Sequence, residues 1–211
     1  MTENETFIYE SIVNQVRIGF LPISEIIENT TEEVEDNQFE DEISENWMRQ
    51  KISAEVEKLK IESQNWKNPT DTIRLQTAFN ELINNNIIAL HCAGYTTSDG
   101  EYEVVEVEQQ LQDNGVVSDG YCFYHEQDLE RAIESNCLML AFQKVDNSDD
   151  AVTMEVGKKI VKILKKNGFE VNWNESANQK IEILNFKWQK IFSETDDDLL
   201  DYSIVVEQLL K

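Results

Sequence analysis

The densest group of reactive side chains in this 211-residue sequence is Cys122, His125, Glu126, Gln127 and Asp128. They lie in one stretch, GYCFYHEQDLERAIESNCLMLAF, from Gly120 to Phe142. A thiol, an imidazole and a carboxylate are the parts of a nucleophile–base–orienter group. In that reading Cys122 attacks, His125 takes the proton and Asp128 holds the ring. Three-residue spacing on an extended strand puts Cys122 and His125 on opposite faces, which counts against the pairing. A looser hydrolytic grouping joins His125, with Glu126 or Asp128, to Asp99 in the loop GYTTSDG. The same residues also have a structural reading, because Gln127 and Asp128 suit the dipole and the free N–H groups of a helix N-terminus.

Metal binding is a second chemistry to weigh. His91–Cys92 and Cys122-x-x-His125 supply two nitrogens and two sulfurs, an acceptable set for tetrahedral zinc. Neighbouring strand residues such as His91 and Cys92 point to opposite faces, so only one of them easily joins Cys122 and His125. Buried thiols and hydrogen-bonded histidines are the plainer reading, and no metal or cofactor is expected. The acidic runs DNSDDAVTMEVG and DDDLLDYSIVVE lack the sixth-position glycine and the full ligand pattern of a calcium loop. No glycine-rich phosphate cradle and no GxSxG elbow is present.

The elements that must position these residues follow from local pattern. Tyr121–Tyr124 is aromatic and fits a half-buried strand. Leu129, Ala132 and Ile133 oppose Asp128 and Arg131, as in a short amphipathic helix. Cys137–Phe142 is a continuous apolar run, which predicts a central strand covered on both sides. Upstream, Ile87–Cys92 predicts a strand and Gly94–Gly100 a loop bracketed by glycines. Glu101–Asn114 mixes β-branched residues with a helical spacing, and its Asn–Gly end predicts a helix. Downstream, Ala151–Lys166 predicts a helix with five lysines in its second half, the only basic patch in the sequence. Phe169–Asn174 and Lys180–Trp188 alternate with period two and predict a hairpin.

Before this α/β section the pattern is helical. Ile8, Ile12 and Val16 form one stripe, Gly19 ends it, and Pro22 opens a second helix with Ile23, Ile26 and Ile27. Phe39, Ile43 and Trp47 lead into a third helix reaching about Gln64. Asn68–Pro69 marks a turn, and Thr70 or Asp71 caps the helix that carries Leu75, Phe79 and Leu82. At the other end, residues 193–198, SETDDD, are expected to cap a last helix with Leu199, Leu200, Ile204, Val205 and Leu209.

Charge narrows the function classes. The net charge of −24 repels duplex DNA or RNA and anionic membrane surfaces, and it attracts cations and basic proteins. The acidic run ENTTEEVEDNQFEDEISEN, with Glu32, Glu33, Glu35, Asp36, Glu40, Asp41 and Glu42, is either a solvated helix face or a docking surface for a basic partner. Three cysteines in apolar runs suggest reduced thiols and a cytoplasmic setting. The N-terminus shows no basic region followed by an apolar core, and no segment reaches about 18 consecutive apolar residues.

The motifs NWKNPTDTIRL, AGYTTSDG, GYCFYHEQDLERA and NGFEVNWN resemble those of a bacterial domain family of unknown function. The likeness runs from about residue 5 to residue 190. It implies one continuous bacterial domain and brings no activity with it.

The fold class expected is α/β (α+β): a mixed sheet of about five strands flanked by helices. Residues 1–66 form a helical N-terminal region, 67–192 the α/β core and 193–211 a C-terminal helix, in one continuous folding unit. Two functions remain open. One is an acidic, non-enzymatic binding protein, of the immunity or antitoxin kind, that neutralises a basic effector protein. The other is a hydrolase-like enzyme using His125, Asp128 and Cys122 at the end of the central strand.

Overall fold

The computed structural model describes residues 1–193 and 197–211. Two compact units emerge. The first holds Met1–Asn68 together with the described residues from Gln189 to Ser193. The second holds Pro69–Trp188 and Asp197–Lys211.

The first unit is helical. Helix α1 (Glu3–Ile18) starts on a capping box between Thr2 and Glu5 and stops at Gly19, whose φ of 69° is left-handed. Helix α2 (Ile23–Asp36) follows Pro22, and α3 (Glu45–Ser63) is capped by Ser44. Their apolar stripes meet in a core that includes Ile8, Ile12, Val16, Ile26, Val34, Ile43, Met48, Ile52 and Leu59. Each such side chain contributes roughly 1.5–3 kcal/mol by leaving water. One carboxylate enters this core: Glu55 is buried and accepts a hydrogen bond from the Tyr9 hydroxyl at 2.5 Å. That bond is the first cause of the raised Tyr9 phenol pKa.

The second unit is a mixed five-stranded sheet in the order β1-β2-β3-β5-β4 with helices around it. Helix α4 (Asp71–Ile83), capped by Thr70, leads into β1 (Ile87–Leu90). Helix α5 (Thr97–Asp113) crosses to β2 (Gly120–Phe123), which pairs with β1 in parallel. Helix α6 (Glu126–Ser135) turns the chain into β3 (Cys137–Gln143), antiparallel to β2. Helix α7 (Asp150–Lys166) precedes the hairpin of β4 (Glu170–Asn172) and β5 (Ile181–Leu184), and β5 inserts between β3 and β4. Two short helices, α8 (Asp197–Leu200) and α9 (Tyr202–Leu209), finish the chain.

Three expectations change. Strand β3 is covered unevenly: Leu138, Leu140 and Phe142 are buried on one face, while on the other Ala141 is buried, Met139 half-buried and Gln143 exposed. Register explains this, since Met139 pairs with Glu182, which in turn faces Asn172. The covered face packs on α7, where a Cβ at Gly157 would lie 2.6 Å from the Trp173 ring and 2.8 Å from Phe142. Helix α5 starts at Thr97, inside the segment read as a loop, because Thr96 and Asp99 form a capping box. The C-terminal helix is broken, with Asp201 capping α9, and the expected SETDDD cap falls partly on residues 194–196, outside the described residues.

Candidate functional site

His125 is the N-cap of α6, directly beyond the end of β2. Its Nδ1 accepts from the backbone N–H of Asp128 at 3.2 Å. The neighbouring helix N–H groups are also taken: Glu126 donates to the Gly94 carbonyl at 3.1 Å and Leu129 to the His125 carbonyl at 3.1 Å. Gly94 is required for this approach, since its φ is 64° and a Cβ there would lie 2.3 Å from the Cβ of Asp99. The α6 N-terminus therefore has its donors matched inside the protein.

With Nδ1 acting as an acceptor, the imidazole proton sits on Nε2. Two acceptors face that nitrogen, Asp128 Oδ2 at 3.0 Å and Thr97 Oγ1 at 3.1 Å, and Lys180 Nζ, itself a donor, stands 2.9 Å away without a hydrogen bond to the protonated nitrogen. Lys180 Nζ is also 2.6 Å from Asp128 Oδ2, so ammonium and imidazole share one carboxylate oxygen. The other oxygen, Oδ1, accepts from Arg131 Nη2 at 3.2 Å. Asp128 is 1% exposed and His125 2% exposed, so the carboxylate relies on these partners. Burial is the main cause lowering the His125 pKa; Lys180 and Arg131 add to it and Asp128 opposes it. The ring is neutral near pH 7.

A relay needs the imidazole to meet its nucleophile on one nitrogen and its orienting carboxylate on the other. Here hydroxyl and carboxylate converge on the same nitrogen, and the second nitrogen caps a helix. The arrangement ties α5, β2, α6 and the segment before β5 together.

The other reactive residues lie apart. Cys122 is fully buried on the opposite face of the sheet from Tyr121 and Phe123, paired with Phe142, and makes no hydrogen bond to His125. Burial raises its thiol pKa far above the ordinary range, which leaves it protonated. Asp99 Oδ2 accepts from the Thr96 N–H and hydroxyl, both at 2.8 Å, and these bonds lower its pKa. His91 stacks on Phe79 with ring centroids 4.4 Å apart, and its Nδ1 lies 3.1 Å from the Tyr124 hydroxyl. Cys92 follows at a φ of 49°, its thiol pushed up to about 12 chiefly by burial. Among the described residues no three His, Cys, Asp or Glu side chains gather as metal ligands.

Two members of the cluster, Thr97 and Lys180, escaped the sequence reading. Lys180 stands 52 residues from Asp128, and only the insertion of β5 beside β3 brings it there. Thr97 and Lys180 also line a cavity of about 270 Å³ with Tyr121, Gln143 and Asn178.

The acidic run lies in the helical unit. Glu32, Glu35 and Asp36 are exposed on α2, Glu33 is half-buried there, and Glu40, Asp41 and Glu42 are exposed in the turn before α3. Glu42 accepts from the Thr2 hydroxyl and from Asn4 Nδ2, and the Thr2 bond is the first cause of its lowered pKa. No helix among the described residues is long and apolar enough to cross a membrane.

A family model described as "Domain of unknown function (DUF6891)" matches residues 1–192. No curated protein and no solved structure matches the chain.

Proposed function

The chain belongs to the DUF6891 family, whose function is unknown, and from that premise we propose that it works by binding, as an acidic, non-enzymatic protein that captures a basic protein. An immunity or antitoxin-like role, in which a basic effector is neutralised, is the biological form of this reading. One observation carries it. From Glu25 to Glu45 the sequence holds ten carboxylates and no lysine or arginine. Most of these carboxylates are exposed on α2 and the following turn. Among the described residues only Glu45 of that set has an ion-pair partner, Arg49 at 2.6 Å. Concentrated charge of one sign speeds the encounter with a partner of the other sign and selects against like-charged proteins.

The enzyme reading leans on the cavity beside Thr97 and Lys180. The capped Nδ1 of His125 and the inert thiol of Cys122 weigh against it. The test is capture from the native cell at low and at high salt. A basic protein retained by the wild type, and released as salt rises, supports the reading. Retention that does not weaken with salt, or retention of no basic protein, overturns it.

A further inference from the structure

The five lysines of α7 do more than complement the helix C-terminus. Lys159, Lys162 and Lys166 follow one another at spacings of three and four, so they share one face of the helix. That face lines an open pocket of about 480 Å³ together with Glu81 and Asn85 at the end of α4 and Asp119 before β2. This volume is within the range of small-ligand sites. The outer two lysines are paired: Lys159 with Asp119 at 2.7 Å and Lys166 with Glu81 at 2.6 Å. Those bonds are the first causes of the lowered pKa values of Asp119 and Glu81, so both carboxylates stay ionised and neutralised. Lys162, between them, has no ion-pair partner among the described residues. The cavity thus has three ammonium groups against two carboxylates, inside a chain of net charge −24.

We propose that this cavity binds the phosphoryl group of a small soluble phosphate ester or polyphosphate, with Lys162 as the central contact and Lys159 and Lys166 at its sides. Lysine suits this ligand because it is a compact point charge with three donors that can turn toward several phosphate oxygens. The paired lysines neutralise the two carboxylates that line the same cavity, and the Asn85 amide, which also donates to the Glu81 carbonyl at 2.7 Å, adds a neutral donor at the rim. The acidic surface elsewhere repels extended polyanions, which restricts the site to ligands small enough to enter the cavity.

The test uses the full-length protein labelled with ¹⁵N and titrated with inorganic pyrophosphate. Saturable shifts of the Asn85, Lys162 and Ile163 amides are expected. Lys162→Gln should weaken the affinity about tenfold, the effect of losing one charge-assisted contact. Lys158→Gln removes the same charge from the same helix, at a lysine paired to Glu155 and not lining the cavity, and should leave the affinity unchanged. Absence of saturation, or equal weakening by both variants, would overturn the site. Binding to phosphatidic acid vesicles without binding to pyrophosphate would overturn the small-ligand assignment.

Discussion

Lys180 Nζ lies 2.6 Å from the buried Oδ2 of Asp128, joining the start of β5 to the first turn of α6 across 52 residues of sequence. The Lys180 side chain is 25% exposed and that of Asp128 is fully enclosed. Removing the ammonium leaves the enclosed carboxylate with Arg131 and His125 only. Lys180→Met should therefore destabilise the protein by about 2 kcal/mol, below the usual loss for a fully buried pair because Lys180 is partly wet and Arg131 remains. The midpoint of urea unfolding, at unchanged slope, measures this.

His125 sets a pH dependence with a definite sign. Its pKa is lowered in the folded protein, so just below the ordinary histidine value of 6.5 the unfolded chain binds more protons. Its contribution is complete above about pH 6.5 and is lost as pH falls through the folded value. Glu126 and Glu130, whose pKa values are raised mainly by burial, act in the opposite sense. Subtracting a variant isolates the histidine. His125→Asn keeps a side chain able to cap α6, and its stability should fall less than the wild type between pH 7.5 and 5.5.

Gly100 lies in the first turn of α5, where alanine would ordinarily favour the helix by about 1 kcal/mol. A Cβ at that position would lie 2.3 Å from a ring carbon of Phe123 and 2.6 Å from the Ala93 carbonyl oxygen. Gly100→Ala should therefore lower stability by about 2 kcal/mol, as overpacking outweighs propensity. Thermal unfolding of the variant gives the sign directly.

The thiols offer a chemical check on the enzyme reading. Cys122 is fully buried with a strongly raised pKa, whereas Cys92 and Cys137 are only partly enclosed. Native alkylation at pH 8, followed by peptide mapping, should leave Cys122 unmodified after Cys137 has reacted. Fast labelling of Cys122 would return it to consideration as a nucleophile.

Local signals were legible in the sequence where they reported local structure. The turn at Asn68–Pro69, a cap at Thr70 or Asp71, which the structure assigns to Thr70, and the strand of Cys137–Gln143 followed from a few neighbouring residues. The capping role of the His125–Asp128 group was also readable, although the cap is His125 itself. The start of α5 was missed because two glycines outweighed the Thr96–Asp99 capping box that lay between them. The partly uncovered face of β3 and the arrival of Lys180 were beyond reach for another reason. Both follow from the placing of β5 between β3 and β4, and strand order is a long-range choice that no local window contains.

The most direct measurement compares two variants of equal net charge in the capture experiment. One neutralises Glu32, Glu33, Glu35, Asp36, Glu40, Asp41 and Glu42. The other neutralises seven exposed carboxylates of the α/β unit: Glu101, Glu106, Asp113, Glu134, Asp150, Glu155 and Glu207. If the acidic segment of the helical unit is the docking surface, the first variant loses the basic partner and the second retains it. Equal loss in both would mean that the partner responds to bulk charge alone, and it would contradict a binding site on α2 and the turn that follows.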